Sequence, residues 1–167
     1  MIVVQDANVL IDLLRWDLLT PCIEGLGLHI LTPDLVAAEI EPANPQQRRL
    51  FDQAVQMGWI SIRPSDLLAI YTLQATAGSG PSVADCSACL LAEAESCPLF
   101  TGDKPLRSLA SKRGVTARGH LWLLKELGEQ GILNPTVLTV TLQGMIAQGT
   151  RLPRDEVDKL LKSWSLA

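Results

Sequence analysis

Four acidic side chains at separate places in the sequence are best placed to do chemistry: Asp6, Glu39, Asp85 and Asp103. Carboxylates that lie a few ångströms apart raise one another's pKa values, so such a group is stable mainly with a bound cation. Oxygen ligands without His or Cys favour Mg²⁺ or Mn²⁺. Because these ions polarise phosphoryl groups and activate water, the set predicts hydrolysis of a phosphodiester.

Two of the four carboxylates follow short apolar runs that are typical of buried strands. Asp6 comes directly after IVVQ (2–5), and Asp103 lies two residues after PLFT (98–101). Runs of this length, rich in β-branched or aromatic residues, favour strands. We therefore expect both aspartates at the carboxyl end of a sheet, where parallel sheets bind their ligands.

The other two carboxylates are expected on helices near the same rim. Glu39 lies on the helix that leaves the apolar run LHIL (28–31), four residues after Leu35, so the pair shares a helix face that could look towards the interior. Asp85 lies in the first turn of a helix that begins at Ser82. Both can reach the rim if these helices start there.

The alternation of strands and helices continues along the chain. Further strands are expected at WISIRP (59–64) and VTAR (115–118), and a loop at AGSGPS (77–82). Repeated strand–helix units with short connections predict an α/β fold, with a parallel sheet covered by helices on both faces.

Each carboxylate also has a purely structural interpretation. Asp6 and Asp103 could cap the helices that follow their strands, and Asp85 could form a capping box with Ser82. Glu39 could be an ordinary exposed helix residue. The combination is more specific than its members, because a parallel sheet would bring these separate positions together.

Composition indicates one domain-sized unit that has a partner. The chain has 167 residues, 47% of them hydrophobic, with a mean hydropathy of +0.21. This hydropathy is high for a small monomer and suggests that another chain covers apolar surface, in a homodimer or a complex. The net charge of -4 argues against charge-driven binding of duplex DNA, but it is compatible with an enzyme that acts on RNA.

The sequence shows neither a secretion signal nor a membrane-length apolar segment, so a cytoplasmic location without membrane contact is expected. The four cysteines should then be reduced. Cys86 and Cys89 form a CxxC, but no second ligand pair accompanies them. We interpret them as small core residues rather than zinc ligands.

Four motifs resemble those of PIN domains, most closely the VapC-type toxin ribonucleases of toxin–antitoxin modules. The motifs are DANVLID (6–12), PDLVAAEI (33–40), SVADCSA (82–88) and TGDKPLR (101–107), and the order of elements agrees over about 1–131. The resemblance implies a PIN-like three-layer α/β/α fold with a mostly parallel five-stranded sheet. It also implies a PIN-like catalytic domain at 1–131, and we expect 132–167 to be a C-terminal helical extension packed on that domain.

The resemblance further implies an Mg²⁺-dependent or Mn²⁺-dependent endoribonuclease that cleaves RNA, forms homodimers and is inhibited by an antitoxin protein. Carried over by position, Asp6, Glu39, Asp85 and Asp103 would be catalytic metal ligands, directly or through water. Asn8, Ser82 and Thr101 occupy positions that often support those carboxylates.

Several residues depart from the family pattern or extend it. Gly102 stands where relatives often have Asp or Asn, which leaves the Asp103 side poorer in ligands. His120 and Trp122 replace smaller residues and could narrow the groove or alter an interface; His120 is not assigned to the catalytic set. Lys104, Arg107 and Arg118 could contact RNA phosphates or simply form a solvated face.

Two other functions are compatible with the same residues. The chain could be a catalytically weak or inactive PIN-like protein-binding module, as the apolar composition and Gly102 suggest. It could also be a phosphatase-like hydrolase with Asp6 as nucleophile, although such enzymes usually have a second Asp where this chain has Asn8.

Overall fold

The computed structural model describes residues 1–40, 44–78 and 80–165. Its sheet has five strands in the order β3-β2-β1-β4-β5, and every neighbouring pair is parallel. The strands are β1 (Ile2–Gln5), β2 (His29–Pro33), β3 (Ile60–Arg63), β4 (Leu99–Phe100) and β5 (Ala117–Arg118). The predicted α/β fold with a five-stranded sheet is therefore confirmed, and the sheet is wholly parallel.

Nine α-helices lie within the described residues, together with a π-helical turn at Pro21–Gly25. They are α1 (Ala7–Arg15), α2 (Asp34–Ile40), α3 (Pro45–Gln56), α4 (Leu67–Ala77), α5 (Val83–Ala94), α6 (Lys104–Lys112), α7 (His120–Glu129), α8 (Pro135–Ala147) and α9 (Arg154–Ser165).

Helices cover both faces of the sheet at the central strand β1, and this arrangement gives the three α/β/α layers. Successive side chains of a strand point to opposite faces, and both Val3 and Val4 are fully buried. Val3 packs in a core with α1, α3, α7, α8 and α9, whereas Val4 packs in a second core with α4, α5 and α6. A short β-branched run is stable here because helices bury it on both sides.

The order of the strands creates a crevice beside β1. The chain passes from β1 to β2 and β3 on one side, and then returns to β4 on the other side. At such a reversal, the helices that follow the two central strands leave towards opposite faces, and the space between them is the usual ligand site. The residues after β1 and β4 therefore lie at this crevice.

Several element boundaries differ from the sequence prediction, and β4 and β5 have only two residues each where PLFT (98–101) and VTAR (115–118) were predicted. Strand β2 continues to Pro33, because Thr32 and Pro33 pair with Ile62 and Arg63 of β3, so that α2 begins only at Asp34. Helix α4 extends to Ala77, into the predicted loop 77–82. Ser79 of that loop lies outside the described residues.

The two C-terminal helices pack on the same core as α1. Leu138, Leu142 and Met145 of α8 are fully buried in it, and Val157 is the buried residue of α9. At Gly144, a Cβ atom would lie 2.1 Å from the Trp16 ring, so a glycine is required for this close contact. Within the described parts of the chain, no helix is both long and apolar enough to span a membrane.

Candidate active site

The hydrogen bonds between β1 and β4 bring the first site residues together. Gln5 pairs with Phe100, and the N–H of Asp6 donates to the Phe100 carbonyl at 3.0 Å. Thr101 follows Phe100 and donates its own N–H to the Arg118 carbonyl at 2.8 Å. Asp6 and Thr101 thus lie at the ends of adjacent strands.

Asp6 is buried with part of its carboxylate unsatisfied. The residue is 3% exposed, and its Oδ1 accepts the Val9 N–H at 2.8 Å, which caps α1. Its buried Oδ2 has no hydrogen-bond partner among the described residues. Burial raises the pKa of Asp6, although the Thr101 side chain, the Val9 N–H and the nearby His120 oppose the rise.

Glu39 and Asp85 lie within electrostatic range of Asp6. Partial desolvation raises the pKa of Glu39, and the charges of Asp85 and Asp6 raise it further. The charge of Asp85 also adds to the raised pKa of Asp6. Glu39 is exposed on α2 rather than buried in the interior. The three carboxylates nevertheless share one negative region, which favours a bound cation.

Asp85 also forms the predicted capping box at the start of α5. Its Oδ2 accepts the Ser82 N–H at 2.8 Å, and its own N–H donates to Ser82 Oγ at 3.0 Å. The structural and functional interpretations of Asp85 are therefore compatible, because one carboxylate oxygen serves the cap and the other is left for a ligand.

Asp103 differs from these three. Its Oδ2 accepts the Leu106 N–H at 2.8 Å and caps α6, while its own N–H donates to Thr101 Oγ1 at 2.9 Å. The carboxylates that raise the pKa values of Asp6 and Glu39 do not include Asp103. The structure therefore groups Asp6, Glu39 and Asp85, and it shows Asp103 chiefly as a helix cap.

The chemistry of the donor set fits a divalent ion in part. The unsatisfied, buried oxygen of Asp6 and the raised pKa values of Asp6 and Glu39 are features that a cation would relieve. In the described residues, however, no three Asp, Glu, His or Cys side chains approach closely enough to hold an ion by themselves. Mg²⁺ usually keeps several waters and takes only one or two carboxylates, so the arrangement suits that ion.

The predicted supporting residues behave differently from one another. Thr101 is fully buried between Asp6 and Asp103, and Ser82 holds Asp85. Asn8 is exposed in the first turn of α1, and in the described structure it makes no side-chain hydrogen bond to the four carboxylates.

The CxxC cysteines belong to the core. Cys86 and Cys89 are fully buried in α5 among the residues that cover the second face of the sheet, as predicted. Burial raises the pKa of Cys89 to about 11. Among the described residues these cysteines belong to no group of three or more His, Cys, Asp or Glu side chains that could hold a metal ion.

A buried pair near the site was missed by the sequence analysis. His120, at the start of α7, is 3% exposed, and its Nε2 lies 3.0 Å from Oδ2 of Asp12, whose side chain is also buried. Asp12 also accepts a hydrogen bond from Thr150 at 3.2 Å and a long contact from Arg15 at 3.5 Å. The pair therefore joins α1, α7 and the segment after α8.

The His120 ring also lies against Gly102. A Cβ atom at Gly102 would be 3.4 Å from His120 Cε1 and 3.5 Å from Nδ1. Within the described structure neither ring nitrogen makes a hydrogen bond, so the close contact of Nε2 with Asp12 lacks hydrogen-bond geometry. The sequence signal was weak, because an Asp and a His 108 positions apart can be matched only once the fold is known. Trp122, the other departure, packs edge-on against Phe100 at 5.3 Å.

Comparison with known proteins agrees with this architecture. A family model described as a PIN domain matches residues 2–166, so the chain belongs to the PIN-domain family. No curated protein matches the sequence significantly. Among solved structures, a chain of VapBC2 from Rickettsia felis is similar, with a TM-score of 0.51 and 12% sequence identity over 71% of this chain and 98% of that chain. That structure is of VapBC2 bound to a DNA fragment from its promoter.

A second solved structure, PAE2754 from Pyrobaculum aerophilum, has a TM-score of 0.49 and 16% identity, over 80% of this chain and all of that chain. At such identities the likeness to VapBC2 concerns the fold alone. The family and the fold are those that the four sequence motifs predicted.

Proposed function

We propose that this chain is an endoribonuclease that hydrolyses RNA phosphodiester bonds with Mg²⁺ or Mn²⁺ as cofactor. The observation that carries the proposal is the unsatisfied, buried oxygen of Asp6 beside two further carboxylates, at the crevice of a PIN-domain sheet. A negative site of this kind is best explained by a cation that serves a phosphate ester.

The carboxylates of Asp6, Glu39 and Asp85 would hold the ion, with Asp103 reaching it through water. When bound, the ion supplies polarisation of the phosphoryl oxygens and activation of a water molecule. The N-terminus of α1 also points its partial positive charge at the site, which stabilises the ionised form of Asp6. Thr101 fixes the spacing between the ends of β1 and β4.

The toxin role in a toxin–antitoxin pair, with an antitoxin partner and a homodimer in the cytoplasm, is part of the same proposal. The VapC-type motifs and the fold likeness to VapBC2 support it. Large apolar residues also remain exposed on α4, where Leu67, Leu68 and Tyr71 are each more than half exposed. Such a face suits contact with another protein chain.

The decisive experiment is cleavage of a labelled RNA by the purified protein with Mg²⁺ or Mn²⁺ and with EDTA. Asp6→Asn should reduce cleavage by at least about 100-fold, since even residues that merely support metal ligands cost 10–100-fold. Asn keeps the helix cap, so the fold should be retained.

Asp66→Asn is the matched control, because Asp66 also caps a helix, through the Ala69 N–H at 3.1 Å, but is exposed and does not affect the pKa of Asp6 or Glu39. It should leave cleavage unchanged. Equal activity of wild type and Asp6→Asn would reject the site.

A catalytically inactive protein-binding module is the second candidate. Gly102 supplies no ligand, and Asp103 lies outside the electrostatic group. Titration calorimetry with Mn²⁺ separates the two functions: heat of binding that disappears in Asp6→Asn favours the nuclease, whereas no metal binding at millimolar Mn²⁺ favours the binding module.

A further inference from the structure

A large groove runs from the candidate site to the C-terminal helices. It begins beside the site, at Gly102, Asp103 and His120, while Asp6, Glu39 and Asp85 do not line it, and it continues between α7 and α9 with a volume of about 1900 Å³. Sites for small molecules are usually about 300–1,000 Å³. The size and direction of the groove therefore suit an extended ligand that ends at Asp103, next to the acidic site.

The groove concentrates positive charge in an acidic protein. Seven of the 14 Lys and Arg residues of the chain line it, against four of the 18 Asp and Glu residues. Lys125 pairs with Glu129 at 3.5 Å, whereas the other six form no ion pair within the described part of the chain. These six are Lys104, Arg107, Arg118, Arg151, Arg154 and Lys159.

The six cations come from two separate walls. Lys104, Arg107 and Arg118 belong to α6 and β5, next to the candidate site, while Arg151, Arg154 and Lys159 precede or lie on α9. Between the walls, Trp122 lines the groove with Arg118 stacked over its ring at 5.3 Å. Cations that flank an aromatic side chain are the usual elements of a single-strand nucleic-acid site.

We propose that this groove binds a single strand of RNA and leads it from α9, past Trp122, to Asp103 at the edge of the acidic site. The inference rests on the proposed function, and it gives the C-terminal helices a role in substrate binding. The phosphates would contact unpaired cations on both walls. A single strand is favoured over a duplex because the net charge of -4 leaves little positive charge beyond the groove.

The test measures binding of a fluorescein-labelled, unstructured RNA oligonucleotide by anisotropy in EDTA, which removes the metal and so prevents cleavage. Arg154→Gln with Lys159→Gln should weaken binding about 10-fold. The double variant should also lower the slope of log affinity against log salt by about 1.4, since each phosphate contact to a single strand contributes roughly 0.7.

Lys162→Gln is the matched control. Lys162 is exposed on α9 but lies outside the groove, so RNA affinity and salt slope should stay at wild-type values. Circular dichroism melts establish that all variants are folded. Asp6→Asn should bind RNA in EDTA at least as tightly as wild type, because it removes a negative charge and no cation.

Three outcomes would overturn the inference. Wild type could fail to bind RNA, the groove and control variants could bind RNA equally, or the groove variant could lose binding to poly-glutamate while it keeps wild-type binding to RNA. The last would indicate an acidic protein segment as the occupant. Failure of the proposed nuclease function would be distinguishable from these outcomes. Metal-dependent RNA cleavage would then be absent, while the groove variants would still bind RNA more weakly than wild type.

Discussion

Helix α1 has one buried aspartate at its start and another near its middle, and the two are held in opposite ways. Asp6 is 3% exposed and Asp12 is 6% exposed. The carboxylate of Asp12 is surrounded by His120, Thr150 and Arg15. That of Asp6 has one unsatisfied oxygen and acidic neighbours, so its pKa is raised by burial and by Asp85.

This difference shows how a functional carboxylate can be told from a structural one. A buried charge that the protein itself satisfies contributes to the architecture, whereas one that is left unsatisfied costs stability unless an external group binds it. Burial alone does not distinguish the two. The contacts of each carboxylate do, and each part of the contrast can be tested by a substitution.

The largest expected effect is loss of stability on replacing Asp12. Asp12→Ala should lower the free energy of unfolding by about 3 kcal/mol, because it leaves His120 buried without its partner and removes the Thr150 hydrogen bond. Urea denaturation measures this change. Arg15→Ala, which removes only the half-exposed contact at 3.5 Å, should cost less than about 1 kcal/mol. Equal losses for the two variants would mean that the His120 pair is not structural.

The next effect is stabilisation by metal. At an Mg²⁺ concentration about 100 times the dissociation constant, binding to the folded state alone adds roughly 2.7 kcal/mol to the stability of wild type. Asp6→Asn should lose most of this gain, because its side chain is neutral. Asp66→Asn should retain it. Thermal melts across an Mg²⁺ titration give the comparison, and equal stabilisation of all three proteins would remove Asp6 from the metal site.

A smaller effect is expected from pH without metal. The pKa of Asp6 is raised above its ordinary value of 3.8, so the folded protein holds this proton more tightly than the unfolded chain. Ionised Asp6 therefore destabilises the fold, and the penalty is absent below about pH 4 and grows as pH rises through the folded-state pKa. Asp6→Asn removes the penalty and keeps the cap on Val9.

In EDTA, the melting temperature of Asp6→Asn should thus exceed that of wild type more at pH 7 than at pH 4. Glu39 also lowers the stability of both proteins as the pH rises, because its pKa is raised, but its effect is smaller because it is exposed. A difference in melting temperature that does not change with pH would show that Asp6 carries no such penalty.

Much of the fold was predictable because it depends on local patterns. Short apolar runs ending at Asp6 and before Asp103 gave the two strands whose ends form the crevice, and Ser82 with Asp85 gave the start of α5. Capping and strand signals act over a few residues, so they can be read without knowing which segments meet.

The contacts between distant segments could not be predicted in the same way. Asp12 and His120 meet only because α1 and α7 cover the same face of the sheet, and the orientation of Glu39 depends on how α2 is packed. Likewise, no local signal indicated that Arg154 and Lys159 line the groove that begins at the site. Each of these contacts is set by tertiary packing rather than by spacing along the chain.

Asp103 is intermediate between the two kinds of aspartate, and the smallest effect of a substitution on RNA cleavage is expected there. It caps α6 as Asp6 caps α1, but it is only half-buried and lies beside Gly102, which offers no ligand. Asp103→Asn keeps the cap and alters only a contact to the ion through water, so kcat/KM for RNA cleavage should fall about 10-fold, or about 1.4 kcal/mol of transition-state stabilisation. Asp6→Asn in the same assay should lose at least about 100-fold. Equal losses would show that metal or substrate draws Asp103 into the group of Asp6, so that capping and catalysis share this carboxylate as well.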